Sequence, residues 1–172
     1  YCNPDRIYGT TFVSRCYYYG KDRSACGGWF AKIRKIWENR NIVIVEGTRT
    51  HNGVGNDLFD TAAGIERIIC PPSNAYGALP EIIEACLNYD RDRLFLLSVG
   101  VAAKFLALEL FQRGYRVLDI GNMDMEYEWF VRQALGKMTL EKHGITGEAA
   151  NRQAAAQDEA YAAYLSQVKV WL

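Results

Sequence analysis

Three acidic residues, Asp124, Glu126 and Glu128, stand one residue apart directly after an apolar run. In an extended segment all three share a face; in a helix only Asp124 and Glu128, four apart, do so. Either way at least two carboxylates converge, which suits a divalent cation or a general base. The same residues also serve as an acidic first helical turn that answers the helix dipole, with no chemistry involved. A second feature is the stretch Gly53-Val54-Gly55-Asn56-Asp57, which leads from a loop toward a helix. Glycines there let backbone N–H groups approach an anion. Leu58 stands where a third glycine would complete G-x-G-x-x-G, and the Lys-Ser/Thr of a P-loop is absent. A plain glycine turn capped by Asn56 or Asp57 is the competing reading. Gly100, at a junction of apolar run and helix, is equally open.

These residues need elements to hold them. Four short apolar runs recur at even intervals: Asn41–Val45, Ile65–Cys70, Arg93–Val99 and Arg116–Ile120. They lack polar alternation, as strands buried on both faces do. Between them lie segments of helical period: Trp29, Ile33, Ile36 and Trp37; Ile82, Ile83 and Cys86; and Val101, Phe105, Leu108 and Phe111. Strands alternating with helices predict an α/β fold, a doubly wound, mostly parallel Rossmann-like sheet with helices on both faces. Thr11–Tyr19 reads as a strand or an extended wrap. The Ala-rich stretch from Glu148 to Leu172 reads as a C-terminal helix, with Tyr161, Tyr164, Leu165 and Val168 on one face, packed on the domain or on a partner. With no repeat and no linker, residues 1–172 are expected to form one domain. Ligands in such sheets bind beyond the carboxyl ends of the strands, which is where all the candidates above fall.

Composition narrows the partners. The chain has 172 residues, with 20 Lys+Arg against 20 Asp+Glu and 49% hydrophobic residues. Zero formal net charge argues against a phosphate-backbone binder, and so against nucleic acid. Five cysteines with no C-x-x-C pair, and two histidines far apart, indicate neither a disulfide framework nor a zinc site. Buried thiols of a cytoplasmic protein are expected. The most apolar stretch, Leu94 to Phe111, holds Lys104 and Glu109 and makes a poor membrane span.

From about Phe12 to Glu148 the chain resembles the GT-D-type glycosyltransferases. The match runs through Ser14-Arg15, Ile36-Trp37-Glu38, Ile44-Val45-Glu46-Gly47, Gly53 through Asp60 (GVGNDLFD), Arg67 through Pro71, Asn74-Ala75, Asp119-Ile120-Gly121, and Asp124 through Phe130 (DMEYEWF). The resemblance implies hexosyl transfer from a nucleotide-sugar, a UDP-sugar, to a glycan or glycoprotein acceptor in bacterial glycan assembly. It implies a divalent metal (Mn²⁺ or Mg²⁺) and no organic cofactor beyond the donor. Carried over residue by residue, Glu128 becomes base or electrostatic stabiliser beside Asp124. Gly53, Gly55, Asn56, Asp57, Asn74, Gly100, Lys104 and Asn122 become donor-site candidates, and Asp124 with Glu126 the metal candidates. The chain departs from the family at His51, where Arg is usual. It departs again at Gly100-Val101-Ala102-Ala103-Lys104, which lacks two hydroxyls of the family's turn, and at Asn122, where His is usual. The family's upstream Asp-Gly-Glu is not in this sequence, so a missing N-terminal segment is expected. Three readings remain open: a glycosyltransferase, a non-catalytic binding or scaffold module of the same fold, and an S-adenosylmethionine-dependent methyltransferase suggested by Val117-Leu118-Asp119-Ile120-Gly121. Association of copies through the C-terminal helix is a further expectation.

Overall fold

The computed structural model describes residues 3–7, 11–20, 22–138, 140 and 159–172. At its centre is strand β1 (Asn41–Gly47), whose residues 42–46 are all buried. Its β-branched side chains alternate between two cores, Ile42 and Ile44 to one face and Val43 and Val45 to the other. Around it stand β2 (Gly64–Cys70), β3 (Leu94–Ser98), β4 (Arg116–Asp119) and β5 (Val168–Trp171). The order is β4-β3-β1-β2-β5, and every pairing is parallel. Four of these strands are the four apolar runs. β4 differs from the doubly buried expectation: three of its four residues are exposed, because it closes one edge of the sheet.

One face is covered by α1 (Cys26–Arg34) and α4 (Met123–Val131), where Phe30, Trp37 and Tyr127 pack onto Ile44 and Leu96. The other is covered by α2 (Leu79–Leu87) and α3 (Ala102–Gln112), where Ile82, Cys86, Leu106 and Leu110 pack onto Val45 and Leu97. The chain is therefore doubly wound, as expected. Burial pushes the thiols of Cys70 and Cys86 up to about 12, so both are inert apolar fillers. No described helix is long and apolar enough to cross a membrane.

Three expectations need correcting. In α3 the set Val101, Phe105, Leu108 and Phe111 faces outward, with Val101 74% exposed, while Ala102, Ala103, Leu106 and Leu110 face the sheet. The helix is apolar on two faces, and the one bearing alanines allows the closer approach to the strands. Likewise α1 ends at Arg34; Trp29 and Ile36 are exposed, and the inward set is Cys26, Phe30, Ile33 and, in the following turn, Trp37. Thr11–Ser14 is a 3₁₀ turn rather than a strand.

The C-terminal helix ends earlier than expected. It is α5 (Glu159–Gln167), after which Val168 opens β5 instead of closing a helical face. Val168-Lys169-Val170-Trp171 favours extended backbone, and the open edge of β2 offers it partners. The helix thus docks on the chain's own sheet; residues 148–158 of the expected helix lie outside the described residues.

Candidate functional site

The carboxyl ends of β1, β2, β3 and β4 frame a cleft of about 660 Å³. Its walls include Arg15, Asn74, Gly100, Lys104, Asp119 and Asn122. Gly100 makes the turn from β3 into α3 with φ +60, a conformation side-chain-bearing residues rarely adopt. The residue ahead of α3 is Val101, which has no side chain to cap the helix. The positive end of the helix dipole therefore opens on the cleft beside Ala102. Lys104 Nζ lies 2.6 Å from Asp119 Oδ2, and Asp119 Oδ1 accepts from the Gly121 N–H at 3.0 Å. The Lys104 side chain is 67% exposed, so this ion pair holds it only weakly. Arg15 enters from the segment before α1, and Asn74, in left-handed backbone at φ 52, from the turn after β2.

Asp124, Glu126 and Glu128 do not line this cleft. They fall on α4, so the helical alternative holds: Asp124 and Glu128 share one face and Glu126 another. One Asp124 oxygen accepts from the Gly53 N–H and from Asn56 Nδ2, both at 2.8 Å. Glu128 Oε1 accepts from the same Asn56 amide at 2.7 Å, and its Oε2 from Arg132 Nε at 3.0 Å. Both carboxylates are buried. They clamp the Gly53–Asn56 loop from below, and the short spacing of Gly53 and Gly55, both at positive φ, lets the loop fold down onto them. Glu126 turns away and accepts from the Tyr17 and Tyr18 N–H groups at 3.0 and 2.7 Å.

The structure does not bring together the metal pair read from the sequence. Asp124 and Glu126, two apart on a helix, point to different partners and do not converge on a common point. Among the described residues no group of three or more His, Cys, Asp or Glu could hold a metal ion.

The expected donor set also divides. Asn74, Gly100, Lys104 and Asn122 line the large cleft, whereas Gly53, Gly55 and Asn56 line a second cleft of about 400 Å³ beside α5. Asp57 lines neither. It accepts from Tyr127 Oη at 2.6 Å and Arg34 Nη1 at 2.7 Å. The Tyr127 hydroxyl, ahead of the Arg34 charge, holds its carboxyl below the usual range. Desolvation, then Asp57, pushes Tyr127 up to about 12.

Sequence reasoning gave no site role to Arg15 or Asp119 in the large cleft, nor to Arg67, Tyr164 and Gln167 in the second. Arg67 carried one signal, a charge, beside that of Glu66, inside a mostly apolar strand. It is 3% exposed and paired with the fully buried Glu46 at 2.5 Å.

Comparison with known proteins bears on this architecture. The sequence profile of the glycosyltransferase GT-D fold matches residues 1–148. The chain belongs to the GT-D fold glycosyltransferase family. Among GT-D relatives, "Probable glycosyl transferase Gly" of Streptococcus gordonii is 47% identical over 141 residues, covering 82% of this chain and 20% of the relative. "Glycosyltransferase GlyD" of Streptococcus pneumoniae serotype 4 is 46% identical over 144 residues, 84% of this chain and 18% of the relative. A solved GT-D structure, "A New Glycosyltransferase (DUF1792) from Streptococcus sanguinis", superposes with a TM-score of 0.84 at 44% identity, over 96% of this chain and 61% of that one. A second, described as the highly conserved domain of unknown function 1792 with a distinct glycosyltransferase fold, gives 0.84 at 33% identity, over 99% and 61%. The chain thus spans about a fifth of the curated relatives it matches and about three-fifths of the solved ones.

Proposed function

We propose that this chain forms the donor-handling part of a glycosyltransferase that moves a hexose from a UDP-sugar to a glycan or glycoprotein acceptor. The observation that carries this reading is the large cleft at the strand ends, with Lys104, Arg15 and the uncapped start of α3 on its walls. Transfer of a glycosyl group leaves a nucleoside diphosphate, and the protein must stabilise the charge that develops on it. A helix N-terminus and two long cations supply that stabilisation from fixed positions. The amides of Asn74 and Asn122 offer donors and acceptors to the remaining polar edges of the nucleotide. The carboxylate assigned to the acceptor hydroxyl proton is Glu128, with Asp124 beside it. Because both are bonded to Asn56, that amide must move or relay for either to act.

Calorimetric titration of the chain with UDP, with and without Mn²⁺, tests the donor site. Binding is expected, and Lys104→Ala should weaken it about tenfold or more, the usual consequence of losing a hydrogen bond to a charged group. Absence of UDP binding in both conditions overturns the reading, and binding of S-adenosylmethionine instead would favour the methyltransferase. One observation favours a second reading, a non-catalytic module. Asp124 and Glu128 are both occupied as supports of the Gly53–Asn56 loop, a structural duty sufficient to account for them.

A further inference from the structure

The second cleft lies between the Gly53–Asn56 loop, strand β2 and helix α5, and encloses about 400 Å³. That volume falls in the range of small-molecule sites, roughly 300–1,000 Å³. We propose that it binds a neutral saccharide, and that this is where the acceptor sugar sits; the acceptor role rests on the glycosyltransferase reading above, the saccharide site does not.

Three features of the cleft define its ligand. The first is a polar group without a partner. Tyr164 lines the cleft, is 2% exposed, and its hydroxyl has no hydrogen-bond partner among the described residues. A buried hydroxyl left unpaired is unfavourable, and a ligand hydroxyl relieves it. The second is charge. The guanidinium of Arg67 is already balanced: its Nη1 bonds Glu46 Oε1 at 2.5 Å and its Nε bonds Gln167 Oε1 at 2.7 Å. Its carbon lies 4.6 Å from the centre of the Tyr164 ring. With that charge neutralised by a fully buried carboxylate, and Asp60 on the rim, the cleft offers no net attraction to an anion such as a nucleotide. The third is the alternation of surfaces. Ile65, Phe59 and Ala163 present apolar area beside the amides of Asn56 and Gln167. C–H faces beside evenly spaced hydroxyls are the chemistry of a sugar ring.

The position agrees with the acceptor role. Asn56 lines this cleft and at the same time bonds Asp124 and Glu128, so a saccharide here is one side chain away from the carboxylates.

The test is an amide-resolved NMR titration of the full 172-residue chain with maltose, with glucose 6-phosphate as the anionic control. Maltose should shift the signals of Gly53, Gly55 and Gln167 with a millimolar midpoint, and glucose 6-phosphate should bind no better. Ala163→Leu, which fills the cleft with a good helix former, should weaken maltose at least tenfold. Tyr164→Phe, which removes only the hydroxyl, should weaken it about threefold. Both variants should keep the parent's UDP affinity, which also reports that they are folded. A chain that binds UDP but shows no maltose shifts overturns the proposal. So does an unchanged maltose midpoint in Ala163→Leu, or tighter binding of the phosphate sugar. Maltose binding without UDP binding keeps the saccharide site and overturns the donor reading instead.

Discussion

Asn56 is the residue on which most of the local chemistry depends. Its Nδ2 bonds both Asp124 and Glu128, and its Oδ1 accepts the Leu58 N–H at 3.0 Å, so one short side chain bonds two buried carboxylates and orders the loop. The two readings of Glu128 separate here. If it removes the acceptor proton, Glu128→Gln should lower UDP release from UDP-glucose at least about a hundredfold, the smaller end of what a general base contributes. UDP affinity should stay as it was. If Glu128 only supports the loop, turnover is unchanged and the loss appears as a lowered Tm, since the new amide cannot accept from Asn56 and Arg132 in the same way. Steady-state turnover and a thermal melt on one preparation decide between them.

Among the elements, α4 is the one that organises the site, because its two polar faces hold two different loops. Asp124 and Glu128 hold the Gly53–Asn56 loop, while Glu126 holds the turn that carries Tyr17 and Tyr18, two residues after Arg15. Glu126 therefore positions Arg15 at the large cleft without touching it. Glu126→Ala leaves one buried and one half-buried N–H group without their acceptor and frees the turn. UDP affinity should fall about three- to tenfold, with the remaining binding less sensitive to Arg15→Ala than in the parent. Equal sensitivity in both backgrounds would show that the turn keeps its place without Glu126. The α3 helix shows why an element's existence is easier to read than its orientation. Val101, Phe105, Leu108 and Phe111 and the set Ala102, Ala103, Leu106 and Leu110 both have helical period. Periodicity alone cannot choose between two apolar faces; the sheet takes the face that lets the backbones come closest.

For the molecule as a whole, Asp57 joins α1, through Arg34, to α4, through Tyr127, at the mouth of the loop between β1 and β2. Its carboxyl is held below the usual 3.8 in the folded state, so its contribution is complete above that value and is lost as pH falls below 3.8 through the lowered pKa. Asp57→Asn should lower stability near neutrality and flatten the acid limb of a urea-unfolding series below about pH 4. An acid limb as steep as the parent's would place acid sensitivity elsewhere. The order of apolar runs and helical segments was enough to determine four of the five strands, their parallel setting and the two covered faces. Strands buried on both sides are nearly free of polar residues, and that signal is local. The fifth described strand was not read from the sequence: Val168–Trp171 follows an Ala-rich helix, and its local preference for extended backbone counts only once the unpaired edge of β2 is there to receive it. The site divides the same way. Residue type and spacing put Asp124 and Glu128 on one face, since a separation of four does so in a helix and in an extended segment alike. Which cleft each donor candidate would line, what Glu126 would hold, and that Arg67 and Tyr164 would meet across 97 residues of chain depend on where α4 and α5 dock. Docking is set by the packing of both faces at once, which no short stretch of sequence contains.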